Sequence, residues 1–358
     1  MKNLVLPVLG SLSACSCVDS AWSQSFQLDP LWSVPAGSQT YVTSAAAPTE
    51  RGLAFDSVSG EVLLVSRNAT EGLAVHRLNA STGANLGTLD VSGISGGTFS
   101  LSSIGVAGDG AIYAANLVTS SATGTPFKVY RWANAAAAPT VAYSGDTSTG
   151  QRFGDSMAVS GAGLNTQLAF GSSGNATSVR AAVFSTADGS SFTPTTLSPS
   201  GVNAGAMQRG ISFGETAGTL VGKQTSVAGQ VISYTLGGVS TLLTTSGLDP
   251  NIGPIAVDPV HHLLAGIDDT THSVLLYDFT DPSKPTLLST ASMPTPHNAG
   301  NGTGALDFGN GVLYALEANN GVAAFAVTEV PEPGEFGLAA GLGLVALAAY
   351  RSRQAPKR

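Results

Sequence analysis

Cysteine is nearly missing from this sequence. Its two cysteines, Cys15 and Cys17, both fall within the first 20 of 358 residues. The rest of the chain therefore cannot form disulfides or bind metals through thiolates. It must hold its fold by packing and by hydrogen bonding between strands.

Charged residues are also scarce, at 11% of the chain, and the formal net charge is −8. Four of the 15 basic residues lie in the last eight positions, so the body is more acidic still. No basic stripe with interleaved aromatic residues occurs, which argues against nucleic acid as a partner. Gly (44 residues), Ser, Thr, Ala and Val are abundant instead, and this composition favours strands joined by tight turns.

Motifs for catalysis or cofactor binding are lacking. No Walker or His-Glu-x-x-His pattern is present, and "GISGGTF" and "GSSGNAT" are predicted glycine-serine turns without a suitable His and Asp. His261 and His262 fall in a predicted solvated turn. The loop with Asp268, Asp269 and His272 has oxygen ligands for Ca²⁺ but lacks the acidic spacing of a dedicated calcium loop. We therefore predict no cofactor, no metal and no catalytic residue.

The N-terminus has the layout of a secretory signal peptide over residues 1–23: one lysine, an apolar stretch and then small residues. Cleavage after Ser23 would leave a mature start at Gln24. The alternative is the lipobox-like "LSAC", which would make Cys15 a lipidated first residue. Both interpretations predict export.

The C-terminus carries a short apolar run, residues 336–350, followed at once by arginines. We expect a short transmembrane helix over this run, although 15 residues is fewer than the roughly 20 that usually span a bilayer. The basic end would stay on the cytoplasmic side. The residues of the expected sorting signal are Val330, Pro331, Glu332, Pro333, Arg351 and Arg353.

The C-terminus thus has a Val-Pro-Glu-Pro box at residues 330–333, then an apolar segment and a basic end. This order resembles the PEP-CTERM sorting signal of exosortase-equipped Gram-negative bacteria. The resemblance covers only residues 330–358. It implies a temporary membrane anchor that an exosortase-type protease processes near the Pro-Glu-Pro box, leaving the body at the cell surface or outside the cell. The alternative for the segment 331–358 is a plain transmembrane anchor.

Between the ends, residues 24–330 repeat with a period near 50 residues, and no linker divides them. Each repeat opens with an apolar strand, a turn and a second apolar strand, which is a β-hairpin pattern. The six openings include "RGLAFDSVSGEVLLVSRN" from Arg51, "RGISFGETAGTLVGKQ" from Arg209 and "TGALDFGNGVLYALEANN" from Thr303. A second pair of strands follows in most repeats, such as "KVYRWANAAAAPTVAYSG". Four strands in each repeat predict an all-β fold, a single β-propeller of six blades, with seven as the alternative.

The sixth repeat stops at "VAAFAVTEV", one strand short of a blade. An unpartnered strand is present at the front, in "FQLDPLWSVPA". We therefore predict that Leu28 to Val34 pairs into the last blade and closes the ring, since closure removes an exposed sheet edge.

The usual binding surface of a propeller is the mouth of its central channel, formed where the innermost strands begin. Arginine forks suit carboxylates and vicinal hydroxyls. The candidate binding residues are Glu50, Arg51, Asp155, Arg209 and Asn251, with Ser102, Ser103, Gln208 and Thr303 beside them. The alternative is a structural role, in which these residues pair with each other and hydrogen bond to backbone groups near the channel.

These observations indicate an exported propeller with a binding or structural role at the cell surface or in the extracellular matrix, in contact with exopolysaccharide or surface proteins. The body resembles bacterial secreted propellers of unassigned function, which implies no reaction. One alternative is a metal-dependent hydrolase similar to six-bladed lactonases, with Glu50, Asp155 and Asn251 as ligands. The other is a protein-interaction platform with an exposed apolar patch.

Overall fold

The fold is described from a computed structural model, which places residues 25–44, 49–120, 122, 124–147, 150–173, 179–294 and 302–330. The predicted signal peptide, the apolar run 336–350 and the sorting residues beyond Val330 lie outside this described part. Within it, no helix is long and apolar enough to cross a membrane. The one helical element found there is a single 3-10 turn, Gly163–Asn165.

In the described part of the chain, twenty-four strands form six four-stranded sheets, which confirms the all-β fold and the number of six blades. Blade 1 contains β2 (Gly52–Asp56), β3 (Glu61–Asn68), β4 (Gly72–Asn79) and β5 (Asn85–Thr88). Blade 2 contains β6 (Phe99–Val106), β7 (Ile112–Leu117), β8 (Phe127–Trp132) and β9 (Thr140–Gly145). Blade 3 contains β10 (Phe153–Ser160), β11 (Gln167–Ser172), β12 (Ala181–Thr186) and β13 (Phe192–Leu197).

The remaining blades follow the same order. Blade 4 contains β14 (Gly210–Phe213), β15 (Thr219–Gln224), β16 (Val227–Tyr234) and β17 (Ser240–Ser246). Blade 5 contains β18 (Ile252–Asp258), β19 (Leu263–Asp268), β20 (Ser273–Asp278) and β21 (Thr286–Ser292). Blade 6 contains β22 (Gly304–Gly309), β23 (Val312–Glu317) and β24 (Gly321–Val330), with β1 (Ser25–Val34) as its outer strand.

The pairing of β1 with β24 confirms the predicted closure of the ring by the N-terminal strand. This strand also contacts both neighbouring blades. The Leu28 amide donates to the Ser289 hydroxyl of blade 5 at 3.1 Å, and the Trp32 indole donates to the Ala80 carbonyl beside blade 1 at 2.7 Å. The first strand therefore ties three blades together.

The buried apolar side chains form six clusters, one between each pair of adjacent blades. The cluster between blades 2 and 3 is the most aromatic, with the Phe127 and Phe170 ring centroids 5.0 Å apart and edge to face. Because each blade buries its faces only against its neighbours, stability depends on the ring being closed.

The six first strands, β2, β6, β10, β14, β18 and β22, pack side by side around the axis. Two glycines allow this close approach. A Cβ at Gly52 would lie 2.9 Å from the Ser102 carbonyl oxygen, and one at Gly210 would lie 2.6 Å from that of Gly253. The backbones of adjacent inner strands can therefore approach only because these positions lack a side chain.

Candidate functional site

The central channel has a narrow end where the inner strands begin. This end, which we call the mouth, encloses only about 30 Å³ and is lined by residues from all six blades. Its lining residues include Arg51, Asp155, Arg209 and Ser103. Glu50 and Asn251 are not among its lining residues. The structure therefore brings three of the five candidate residues to one opening.

Asp155 is the anionic centre of the mouth, and its side chain is 3% exposed. Arg51 Nη2 lies 2.7 Å from Asp155 Oδ1, and Arg152 reaches both oxygens, at 2.6 Å through Nη2 and 2.5 Å through Nε. Gln208 donates its amide to Asp155 Oδ2 at 2.8 Å. Burial alone would raise the pKa of Asp155, but these partners together hold it below its ordinary value.

The local backbone aims Asp155 at this point. The register of β10 against β11 shifts between Phe153 and Met157, so Asp155 lies within a strand irregularity. Gly154 has a φ of +96°, a backbone conformation that residues other than glycine rarely adopt. Such irregularities bend a strand and redirect its side chains, which is common beside binding sites.

Arginines are concentrated at the mouth. Of the seven arginines between residues 25 and 330, Arg51 and Arg209 line the mouth, and Arg152 and Arg67 lie close to Arg51. Burial lowers the pKa of Arg51, and the pKa of Arg67 falls to about 10 from burial and from the nearby Arg51 charge. A pKa of about 10 keeps Arg67 protonated at neutral pH.

The Phe99 ring contacts the guanidinium groups of two of these arginines. The Arg67 guanidinium carbon lies 3.4 Å from the Phe99 ring centroid, and that of Arg51 lies 5.3 Å from it. A guanidinium over an aromatic face is stabilised by the ring quadrupole. Arg51 also donates to the Ser102 hydroxyl at 3.0 Å. The two buried guanidiniums are thus fixed, whereas Arg152 is 32% exposed.

Glu50 has a structural position instead. It is fully buried and its Oε1 accepts from the Thr43 amide at 2.8 Å and from the Thr49 hydroxyl at 2.6 Å. Asn251 lies in a turn, where its amide donates to Asp249 Oδ1 at 2.8 Å and its carbonyl accepts from the Asp269 amide at 3.1 Å.

A second polar cluster lies where β19 and β23 end. His272 Nδ1 is 2.6 Å from Glu317 Oε1, and Asp269 accepts from the Thr225 hydroxyl. Burial and the nearby Asp269 raise the pKa of Glu317 to about 8, and burial also raises the pKa of Asp269. Asp268 uses Oδ1 to accept the Thr270 and Thr271 amides of its own turn.

The predicted solvated turn at His261 and His262 is present between β18 and β19, and both side chains are about half exposed. Each imidazole pairs with a carboxylate, His261 with Asp258 at 2.7 Å and His262 with Glu215 at 2.8 Å. Across the described part of the chain, no group of three or more His, Cys, Asp or Glu is arranged to hold a metal ion.

Sequence reasoning missed Arg152 and Arg67. Arg152 had a detectable signal, because Arg51, Arg152 and Arg209 each stand one residue before an inner strand. Arg67 lies within β3 and gave no such signal, since its role depends on the Phe99 ring of the next blade.

The fold and the mouth define a six-bladed β-propeller with an arginine-rich channel opening. Residues 26–245 match the family described as a domain of unknown function, DUF4623, and the chain belongs to that family. The matched stretch contains β1, blades 1 to 3 and nearly all of blade 4. A comparison with curated proteins found no match.

Solved structures share the fold at low sequence identity. A DUF4623 family protein from Bacteroides eggerthii is 16% identical, with a TM-score of 0.59 over 79% of this chain and 72% of its own. A protein from Lactobacillus plantarum is 15% identical, with a TM-score of 0.51 over 86% and 95%. The calcium-binding protein regucalcin from Agrobacterium tumefaciens is 13% identical, with a TM-score of 0.51 over 85% and 97%. At these identities the likeness extends to the fold alone.

Proposed function

We propose that this protein is an exported binding protein of the cell surface or extracellular matrix whose channel mouth binds an acidic saccharide. The observation that carries the proposal is that two arginines line one channel opening and two more lie beside them, in a chain with net charge −8. A positive opening on an acidic protein attracts anions.

The chemistry of the mouth fits a carboxylate with neighbouring hydroxyls. Both oxygens of Asp155 are engaged by Arg51, Arg152 and Gln208, so this carboxylate positions its donors instead of meeting the ligand. Arg152 is partly exposed and offers the remaining N–H groups of a planar fork, which matches a carboxylate. A uronic acid unit supplies that carboxylate together with hydroxyls for the lining polar groups.

The metal-dependent hydrolase is the weaker candidate because its proposed ligands do not fit. Of Glu50, Asp155 and Asn251, only Asp155 lines the mouth. Its two oxygens face guanidinium groups, which would repel a divalent cation. The likeness to regucalcin therefore brings no calcium chemistry to these residues.

The protein-interaction platform is less well supported, because the most exposed apolar side chains of the described residues are spread over several blades. The four most exposed large apolar side chains are Val58, Leu164, Val239 and Val260. They lie in turns of four different blades. Single exposed apolar residues of this kind are normal on a protein surface.

Arg152→Ala tests the proposed site. We expect it to weaken binding of a galacturonic acid trimer about tenfold, a loss of about 1.4 kcal/mol, because a charge-assisted fork is removed. Titration calorimetry of the purified protein measures the affinity. The control is Arg131→Ala, which removes the same charge from β8 of blade 2, where Arg131 contacts Tyr113.

The control variant should bind like the unaltered protein, and a neutral glucose trimer should bind far more weakly than the uronate. Equal losses in both variants would show that bulk charge, not the mouth, governs binding. Equal affinity for the neutral and acidic trimers would contradict the proposal.

Export and sorting form the second part of the proposal. The observation behind them is that the Pro-Glu-Pro box follows directly on Val330, the last residue of β24. We expect intact-mass spectrometry of the protein released by its bacterium to show a chain that begins at Gln24 and lacks the apolar run 336–350. A chain that begins at a lipid-modified Cys15 would contradict cleavage after Ser23. A released chain that keeps its full tail would contradict processing near the Pro-Glu-Pro box.

A further inference from the structure

The channel widens toward the ends of the inner strands. This wide end encloses about 230 Å³ and is lined by residues from all six inner strands. Apolar cavities of about 150 Å³ already bind a molecule as small as benzene. The wide end is therefore large enough for a small organic ligand, and it is separate from the arginines of the mouth.

Most residues that line the wide end are apolar, although polar atoms, many of them backbone, contribute more than half of its exposed wall. The lining includes Ile104, Val106, Met157, Val159, Phe213 and Val257. Ser160 and Ser212 contribute hydroxyls, and Asp307 is the one ionisable side chain among the described residues that line it. Apolar lining residues together with one placed charge are typical of a specific ligand site.

Asp307 is held in place by backbone donors. Its Oδ2 accepts the Phe55 amide of β2 at 2.8 Å, and the Phe308 amide also donates to the carboxyl. The bond from Phe55 joins blade 1 to blade 6, and the two bonds together fix the carboxyl at the wall. The apolar surroundings raise the pKa of Asp307 to about 7, because its charged form lacks solvation.

We propose that the wide end of the channel binds a primary amine carried on an apolar group, with Asp307 as the counter-ion. The ammonium group supplies the positive partner that a carboxylate in apolar surroundings lacks. The apolar group replaces water against the aliphatic and aromatic wall, which is favourable. The ligand thus differs in charge from the one proposed for the mouth.

Few other charged groups face Asp307 from the neighbouring strands. On β23, the Tyr314 phenol interacts with it, and its pKa of about 12 keeps it neutral. Asp56 at the end of β2 accepts the Val58 amide of its own turn, and Asp258 at the end of β18 pairs with His261. Asp307 is thus the group that titrates at the cavity wall.

The test uses 2-phenylethylamine as the probe and 2-phenylethanol as its neutral match. We expect calorimetry on the full chain to show the amine binding at least about tenfold more tightly near pH 8.5 than near pH 5.5, since Asp307 ionises between them. The probe's own amine stays protonated at both values, as lysine-like amines do. The alcohol should bind weakly and without this pH dependence.

Two variants localise the effect. Asp307→Asn keeps an oxygen for the Phe55 amide and should abolish both the amine preference and its pH dependence. Ser160→Trp places a large side chain at an exposed position of the rim and should block binding with Asp307 intact. Asp281→Asn, an equal charge loss in an exposed turn, is the control and should leave binding unchanged.

Three results would overturn the inference: no binding of the amine up to about 10 mM, equal binding of amine and alcohol, or an unchanged pH dependence in Asp307→Asn. None of these results bears on uronate binding at the mouth, which Arg152→Ala tests separately.

Discussion

Leu28→Asp should destabilise the whole ring, by about 3–5 kcal/mol or more, because a buried leucine would be lost and a charge would enter an apolar cluster. Leu28 is 7% exposed and belongs to the cluster between blades 5 and 6. It lies on β1, whose pairing with β24 closes the ring. Thermal unfolding followed by circular dichroism should show a much lower midpoint.

The matched control lies three residues away on the same strand. Leu31 is 51% exposed, so Leu31→Asp should change stability by no more than about 0.5 kcal/mol. If both variants unfolded alike, the strand itself would be sensitive to charge. If neither lost stability, closure by β1 would contribute little to the fold.

Asp155→Leu should cost about 3–5 kcal/mol, because it leaves the buried Arg51 guanidinium without its anion. Arg51 has a side chain only 3% exposed and 2.7 Å from Asp155, and burial already disfavours its charge. Arg152 would lose the same partner but is partly exposed and can turn to solvent. Chemical denaturation measures the free energy of unfolding.

The double variant Arg51→Met with Asp155→Leu tests whether the stability loss comes from the unpaired charge of Arg51. Replacing both charges by apolar groups should recover most of the stability lost in Asp155→Leu, since no buried charge then remains unpaired. A double variant as unstable as the single one would contradict this account. So would a single variant as stable as the unaltered protein.

The architecture could be read from the sequence because a propeller repeats one local pattern. Each inner strand and its hairpin partner appear as two apolar runs around a turn, and the short sixth repeat left one strand to be supplied by Leu28 to Val34. Seven blades remained an alternative because a repeat count does not fix how a ring closes. The pairing of β1 with β24 gives six.

The site was harder to predict because neighbouring residues in extended chain point to opposite sides. Arg51 lines the mouth, whereas the preceding Glu50 turns into the protein and accepts from Thr43 and Thr49. The pairing of Asp155 with Arg51 joins residues from blades 1 and 3. Asp307 gave no signal at all, since its surroundings come from strands distant in sequence.

The most direct measurement is a crystal structure of the protein soaked with the galacturonic acid trimer. The account predicts a uronate carboxylate within hydrogen-bond distance of Arg152 at the mouth, with the Arg51 and Asp155 pair unchanged beneath it. Density for the trimer at any other surface, with an empty mouth, would contradict it.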